Sequence, residues 1–211
     1  MLEQSMEQIH EQLGQKVMKT LSRCGNCAQT SFLTLQEQFE LDDGGAILKA
    51  LTAMPGVALR GETCGAVIGP LMALGLIYGR DKDSLDDFRR YQRSLPSARR
   101  YCREFEEQVG STKCAEIIEE KFGRRYDLSD PGESMEWLNA GAVEKCGEVI
   151  CKGVWIASEI MFAGLPALSQ EHSTKRSQVY MPPVGLEEDC YPKEYDHLFH
   201  NSLWGRPPMI K

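Results

Sequence analysis

The chain has 211 residues, eight of them cysteine, and a formal net charge of −7 with acidic and basic residues intermixed. A chain of that length can bury a sizeable core without disulfides, and its acidic balance argues against a nucleic-acid protein, where a basic face is expected. No stretch reaches the roughly 18 consecutive apolar residues of a membrane span; residues 64–78 come closest and are too short.

The N-terminus, MLEQSMEQIHEQLGQKV, has no basic stretch followed by an apolar one, so no secretory leader is expected and the reading is cytoplasmic. In that compartment eight cysteines point to metal binding or redox chemistry more than to a disulfide frame. Along the chain, Leu2, Met6, Ile9, Leu13, Val17 and Leu21 recur at steps of three and four, predicting an amphipathic helix over 2–21. After RCGN, Asn26 is placed to cap a second helix with Ala28, Phe32, Leu35 and Phe39 inside. LDDGG reads as a turn, and Ile47, Leu48, Leu51 and Met54 as a short helix stopped by Pro55-Gly56.

A buried helix is predicted over 63–78, bent at Pro70, and a long charged one over 84–109 with Leu85, Phe88, Leu95, Cys102, Phe105 and Val109 inside. Another follows over 112–122, then the loop RRYDLSDPGES, then a last helix over about 135–163 that stops before Leu165-Pro166. Strand-like alternation is almost absent, so residues 1–165 read as an all-α domain, a compact bundle of six to seven helices. Residues 166–211 carry five prolines after Pro166 and scattered aromatics. They predict an irregular C-terminal extension, an arm laid over the bundle or over a partner subunit.

The cysteines differ in setting. Cys27, Cys64 and Cys114 each fall at a predicted helix start, where free N–H groups and the helix dipole favour an anion. Such placement lowers a thiol pKa, and the thiolate is the form that binds metal or attacks. Cys146 lies between two glycines in AGAVEKCGEV. Small residues follow all four, and Gly65, Gly69 and Ala73 give the helix after Cys64 one smooth face, suited either to close helix packing or to the approach of a bound group. Cys102 reads as a buried inert thiol, Cys151 as core or an auxiliary thiol, and Cys190 as incidental. Cys24 and Cys27 form CGNC, but a helix rather than a strand precedes it, so a thioredoxin reading lacks its context. No histidine follows, so it is not a covalent haem site.

Four local contexts, NCAQ at 26–29, RGETCGAVIG at 60–69, GSTKC and EKCGEVI, resemble the C_GCAxxG_C_C family of redox-active proteins. Its CGAxxG motif is matched by Cys64-Gly65-Ala66-Val67-Ile68-Gly69. The resemblance covers about 24–160 and puts the four family cysteines at Cys27, Cys64, Cys114 and Cys146. It implies redox activity. A related domain occurs in the split-Soret type of cytochrome c, where an iron–sulfur centre accompanies haem. The absence of CxxCH here removes the haem half of that analogy.

With successive family cysteines at intervals of 37, 50 and 32 residues, each comes from a different helix, unlike the short local turns of zinc ribbons or ferredoxin loops. Converging thiolates suit a [2Fe–2S] or [4Fe–4S] iron–sulfur cluster with Cys27, Cys64, Cys114 and Cys146 as ligands, Cys24 and Cys151 as auxiliary thiols and Gly65 and Gly69 leaving room beside it. Two alternatives stay open. One is a metal-free thiol/disulfide protein using Cys24 and Cys27, or Cys64 with a resolving partner; the other is a structural or interaction protein with a four-cysteine zinc site. Electron transfer or a reductive reaction, and so an oxidoreductase, is the expected activity, with a redox partner protein or small-molecule substrate that the residues do not name. No histidine lies near a motif cysteine, His197-x-x-His200 reads as structural, and no phosphate-binding glycine motif occurs. A homodimer through the Gly65/Gly69 face or exchanged arms is left open.

Overall fold

In the computed structural model, residues 5–41 and 44–171 are described, with side chains as far as Gly164. Helix α1 (Met6–Cys24) starts where Ser5 and Gln8 cap one another reciprocally, satisfying two otherwise free N–H groups. Its inward stripe is Ile9, Leu13, Val17 and Leu21, as predicted, whereas Met6 is exposed. The helix ends at Gly25 with φ of 61°. Asn26 caps α2 (Cys27–Gln38) by accepting the Gln29 N–H. Ala28, Phe32 and Leu35 are fully buried, and Phe39 packs on Phe162 at 4.7 Å.

A short helix, α3 (Ala46–Ala50), tightens into a single 3-10 turn, Leu51–Ala53, of which Leu51 alone is buried. Pro55-Gly56 does stop it, but not with an ordinary turn. Gly56, Val57, Ala58 and Leu59 have φ of 51°, 49°, 58° and 62°, one turn of left-handed helix. The Leu59 N–H donates to the Pro55 carbonyl at 2.9 Å and the Arg60 N–H to the Gly56 carbonyl at 3.1 Å. For a residue with a Cβ this conformation costs about 1–2 kcal/mol, so the surrounding contacts must hold three such residues in place.

Helix α4 (Gly65–Tyr78) is apolar around nearly its whole circumference and runs through Pro70 without stopping. Proline has no N–H, so the Ala66 carbonyl one turn earlier loses its helical donor. The hydroxyl of Tyr101, a fully buried side chain of α5 (Phe88–Val109), takes that carbonyl at 2.6 Å. A Cβ on Gly153, in the last helix, would lie 2.7 Å from the same oxygen and 2.8 Å from the Tyr101 hydroxyl. Three helices thus meet at one carbonyl.

Helix α5 begins later than its periodicity suggests. Lys82–Ser84 form a 3-10 turn and Asp87 supplies the cap, leaving Leu85 and Phe88 outside at 62% and 47% exposure rather than inside. After α6 (Cys114–Phe122) the predicted last helix proves to be two, α7 (Pro131–Asn139) and α8 (Ala142–Glu171). Asp130 and Pro131 start α7. Gly141, at φ of 88°, breaks the path between the two, a conformation that costs glycine little.

Helix α8 is the central post, packed against α1, α2, α4 and α5 and touched by α7. It buries Val149, Ile150, Val154, Ile156, Ala157, Ile160 and Met161. It also corrects the predicted stop before Leu165-Pro166: the helix continues to Glu171, so residues 166–171 are not irregular. Pro166, like Pro70 and Pro96, forfeits one hydrogen bond without ending a helix that packing already anchors. The rest of the expected arm, with Cys190, His172, His197 and His200, lies outside the described residues.

The described residues are all-α, with eight helices where six to seven were predicted, because 135–163 divides. Their one extended pairing is an antiparallel bridge between Thr63 and Lys113. No helix among them is long and apolar enough to cross a membrane.

The Tyr101–Ala66 contact makes a testable pair. Tyr101→Phe leaves a buried carbonyl without a donor and should cost about 1–3 kcal/mol in denaturant unfolding. In a Pro70→Ala background residue 70 regains its N–H, so the same Tyr101→Phe change should cost less by about 1 kcal/mol. Equal costs in the two backgrounds would refute the compensation.

Candidate functional site

Two backbone segments form a clasp. The Cys64 N–H donates to the Thr112 carbonyl at 2.8 Å, the Cys114 N–H to the Glu62 carbonyl at 2.7 Å and the Ala115 N–H to the Gly61 carbonyl at 2.9 Å. Around the Thr63–Lys113 bridge this brings Cys64, the residue preceding α4, beside Cys114, the first of α6. Cys27, the first residue of α2, joins them because α2 and α4 cross closely. A Cβ on Gly65 would run into the Cys27 sulfur and come within 2.6 Å of the Ala28 nitrogen, and one on Gly69 would meet Ser31 and the Ala28 carbonyl.

The glycine face is therefore used inside the chain. Gly65 lies beside a thiol, neither glycine lines the cavity described next, and the face is closed to a second copy. Ser31 adds a hydrogen bond across the crossing, donating to the Gly65 carbonyl at 3.2 Å.

Cys27, Cys64, Cys114 and Cys146 all line one cavity of about 580 Å³, and Cys24 lies on its wall as well. Cys64 is buried, Cys27, Cys114 and Cys146 are partly buried, and Cys24 is exposed. The Cys24 sulfur lies 3.2 Å from the Thr30 hydroxyl. Cys151 is elsewhere, against the Gly14 carbonyl between α8 and α1. Cys102 sits on α5, half-buried. Among the described residues no group of three or more His, Cys, Asp or Glu side chains is closed around a point where one metal ion would sit.

Asn26 and Gln29 do more than begin α2. The Asn26 amide donates to the Thr52 carbonyl at 3.1 Å, and the Gln29 amide donates to the Leu48 carbonyl at 2.9 Å. These bonds pin the 48–52 segment, which leads into the left-handed turn. Pro55, Gly56, Ala58 and Leu59 form part of the cavity wall. A Cβ on Gly56 would lie 3.4 Å from the Cys114 sulfur. The wall also includes Ser134, Trp137 and Leu138 of α7.

Residues 25–160 match the model of the family described as "Putative redox-active protein (C_GCAxxG_C_C)". The chain belongs to this family. No curated protein and no solved structure matches it. In C_GCAxxG_C_C terms, the CGAxxG segment supplies both the buried Cys64 and the two glycines that let α2 approach, and NCAQ supplies Cys27 between the two amides that fasten the wall.

The thiols of this family site do not all respond alike. The Cys64 side chain hydrogen-bonds to Cys27 and holds its pKa below the ordinary value; the N–H groups of Gly65 and Ala28 act in the same direction, against the cost of burial. Cys64 itself is pushed well up, by its hydrogen bonds with Cys114 and Cys27 and then by burial. Burial, then the neighbouring Cys27 and Cys114, pushes Cys146 up to about 12. Cys27 is thus lowered chiefly by Cys64, with the helix-start N–H groups as lesser contributions, and Cys64, expected to be acidified by its own helix start, is instead raised. In a shared apolar site one thiolate can be charged cheaply, and each further one meets both burial and repulsion.

Cys146 and Cys151, the latter pushed up to about 11 by burial and then Glu148, keep their protons past the ordinary value of 9.0. Their folded pKa values exceed the unfolded ones, so the stability they confer is complete below pH 9 and is lost as pH rises through the folded values. The melting temperature of the metal-free protein should therefore fall above about pH 9, and the fall should be shallower in Cys151→Ala. Identical pH profiles for the two proteins would contradict this account of Cys151.

Proposed function

We propose that this is a redox protein whose centre is an iron–sulfur cluster, [2Fe–2S] or [4Fe–4S], ligated by Cys27, Cys64, Cys114 and Cys146 and serving electron transfer or a reductive reaction. The observation that carries the reading is convergence: four cysteines from α2, the start of α4, α6 and α8 line one cavity. The donor set fits such a centre, since among the described residues no histidine or carboxylate shares that wall with the thiols. Gly65 leaves space at the Cys27 sulfur that a Cβ would fill.

A single tetrahedral ion needs all four sulfurs at about 2.3 Å from one point, whereas a cluster distributes its thiolates over several irons; four cysteines from separate elements around a wide cavity suit the second arrangement. When bound, it would supply one-electron transfer at a potential set by burial and by hydrogen bonds to sulfur.

The chain's own contribution is the setting. The N–H groups of Gly65 and Ala28 offset negative charge on Cys27, and the starts of α2, α4 and α6 all face the thiols. Because Cys64 and Cys146 hold their protons in the metal-free chain, loading must release them, and the centre binds more tightly as pH rises. A cytoplasmic setting, which keeps thiols reduced, suits such a site.

A second reading, metal-free dithiol chemistry at Cys24 and Cys27, draws on the exposure of Cys24 on the same wall. Anaerobic purification with iron, acid-labile sulfide and zinc analysis separates the two. The cluster reading expects brown protein with iron and sulfide, lost in Cys64→Ser and kept in Cys24→Ser and Cys102→Ser. Colourless, metal-free native protein with full redox activity that disappears in Cys24→Ser would overturn it in favour of the dithiol.

A further inference from the structure

The cavity is larger than the thiols require, and its remaining walls have a consistent chemistry. Its volume, about 580 Å³, falls within the range of small-molecule sites, about 300–1,000 Å³. Among the described residues no ionisable side chain other than the cysteines lines it. A whole helix, α7, is turned toward it without contributing a cysteine. Ser134, Trp137 and Leu138, at spacings of three and four, form that helix's inner face, yet none of its residues is buried.

The helix is held by ties at its rim instead. Arg124 pairs with Glu136 at 2.6 Å, and the Asp127 N–H donates to Glu133 at 3.0 Å. An apolar face lining a cavity gains dispersion contacts when a molecule of matching shape packs against it. A charged occupant would leave water for described walls that offer it no counter-charge.

We infer that this cavity is a binding compartment for a small, uncharged, mostly apolar organic molecule, held among the four thiols and the cavity-lining residues of α7. As the molecule on which the centre acts, it rests on the redox reading above; as a compartment, it stands on its lining alone.

The test uses two dyes with the same ring system, neutral N-phenyl-1-naphthylamine and its anionic relative 8-anilino-1-naphthalenesulfonate, titrated into the full chain purified anaerobically. The neutral dye should bind saturably at one per chain with enhanced fluorescence, and the sulfonate at least tenfold more weakly. Ser134→Trp and Leu138→Trp, which fill the space, should each weaken the neutral dye at least tenfold. Met135→Trp, at a position that does not line the cavity, should leave it unchanged. Absence of saturable binding, equal binding of the two dyes, or indifference to both filling substitutions would overturn the inference. The comparison of dyes uses the native chain, so it decides the matter even where a filled variant does not fold. Iron and sulfide measured on the same samples separate the two proposals. Metal without dye binding sinks the compartment alone, whereas dye binding in a metal-free native protein sinks the cluster alone.

Discussion

The site hangs on the backbone clasp between 61–64 and 112–115. Its three hydrogen bonds join segments about fifty residues apart, and without them Cys64 and Cys114 would head two helices with no reason to meet. The clasp is made of main chain, so it fixes position without asking for particular side chains at Thr63 or Lys113. It also explains why the chain's one extended pairing among the described residues occurs at the site and nowhere else. The crossing of α2 and α4 supplies the third thiol. Gly65 and Gly69 allow it, and Ser31 ties it together.

Helices in this chain are unusually tolerant of proline, and the reason differs from a kink. Pro70 removes a donor, and the fold answers with the Tyr101 hydroxyl aimed at the freed Ala66 carbonyl. The compensation has a structural effect beyond satisfying one oxygen. It locks α5 to α4 two residues from Cys64, and Gly153 keeps α8 close to the same point. The apolar helix that carries the motif is thus held from three sides: by α2, by α5 and by the central post.

Much of this was legible in the sequence because it rests on periodicity and capping. The stripe of α1, the Asn26 cap, the passage of α4 through Pro70 and the four motif cysteines were each readable from local spacing. The long-range partners were not. Nothing near Pro55-Gly56 signals that Val57, Ala58 and Leu59 would follow Gly56 into the left-handed region, since the residues that hold them there come from other elements. The separation of α7 from α8 turns on Gly141 alone, and reading them as one helix hid the inner face of Ser134, Trp137 and Leu138. Cys64 shows the same limit in its electrostatics. Its helix start argues for acidity, but its neighbours in space, Cys27 and Cys114 with the burial they share, decide the outcome.

The spread of the thiols along the chain has a consequence for biosynthesis. Cys27 leaves the ribosome first, Cys146 more than a hundred residues later, and the clasp cannot close until residues 112–115 have followed 61–64. At a synthesis rate of about 5–20 residues per second, several seconds separate the first thiol from the last. During that time Cys27 and Cys64 are unburied cysteines on an unfinished bundle, open to oxidation and to stray metal. The four thiols can therefore share one wall only after residues 112–115 and Cys146 have followed Cys27 and Cys64 off the ribosome.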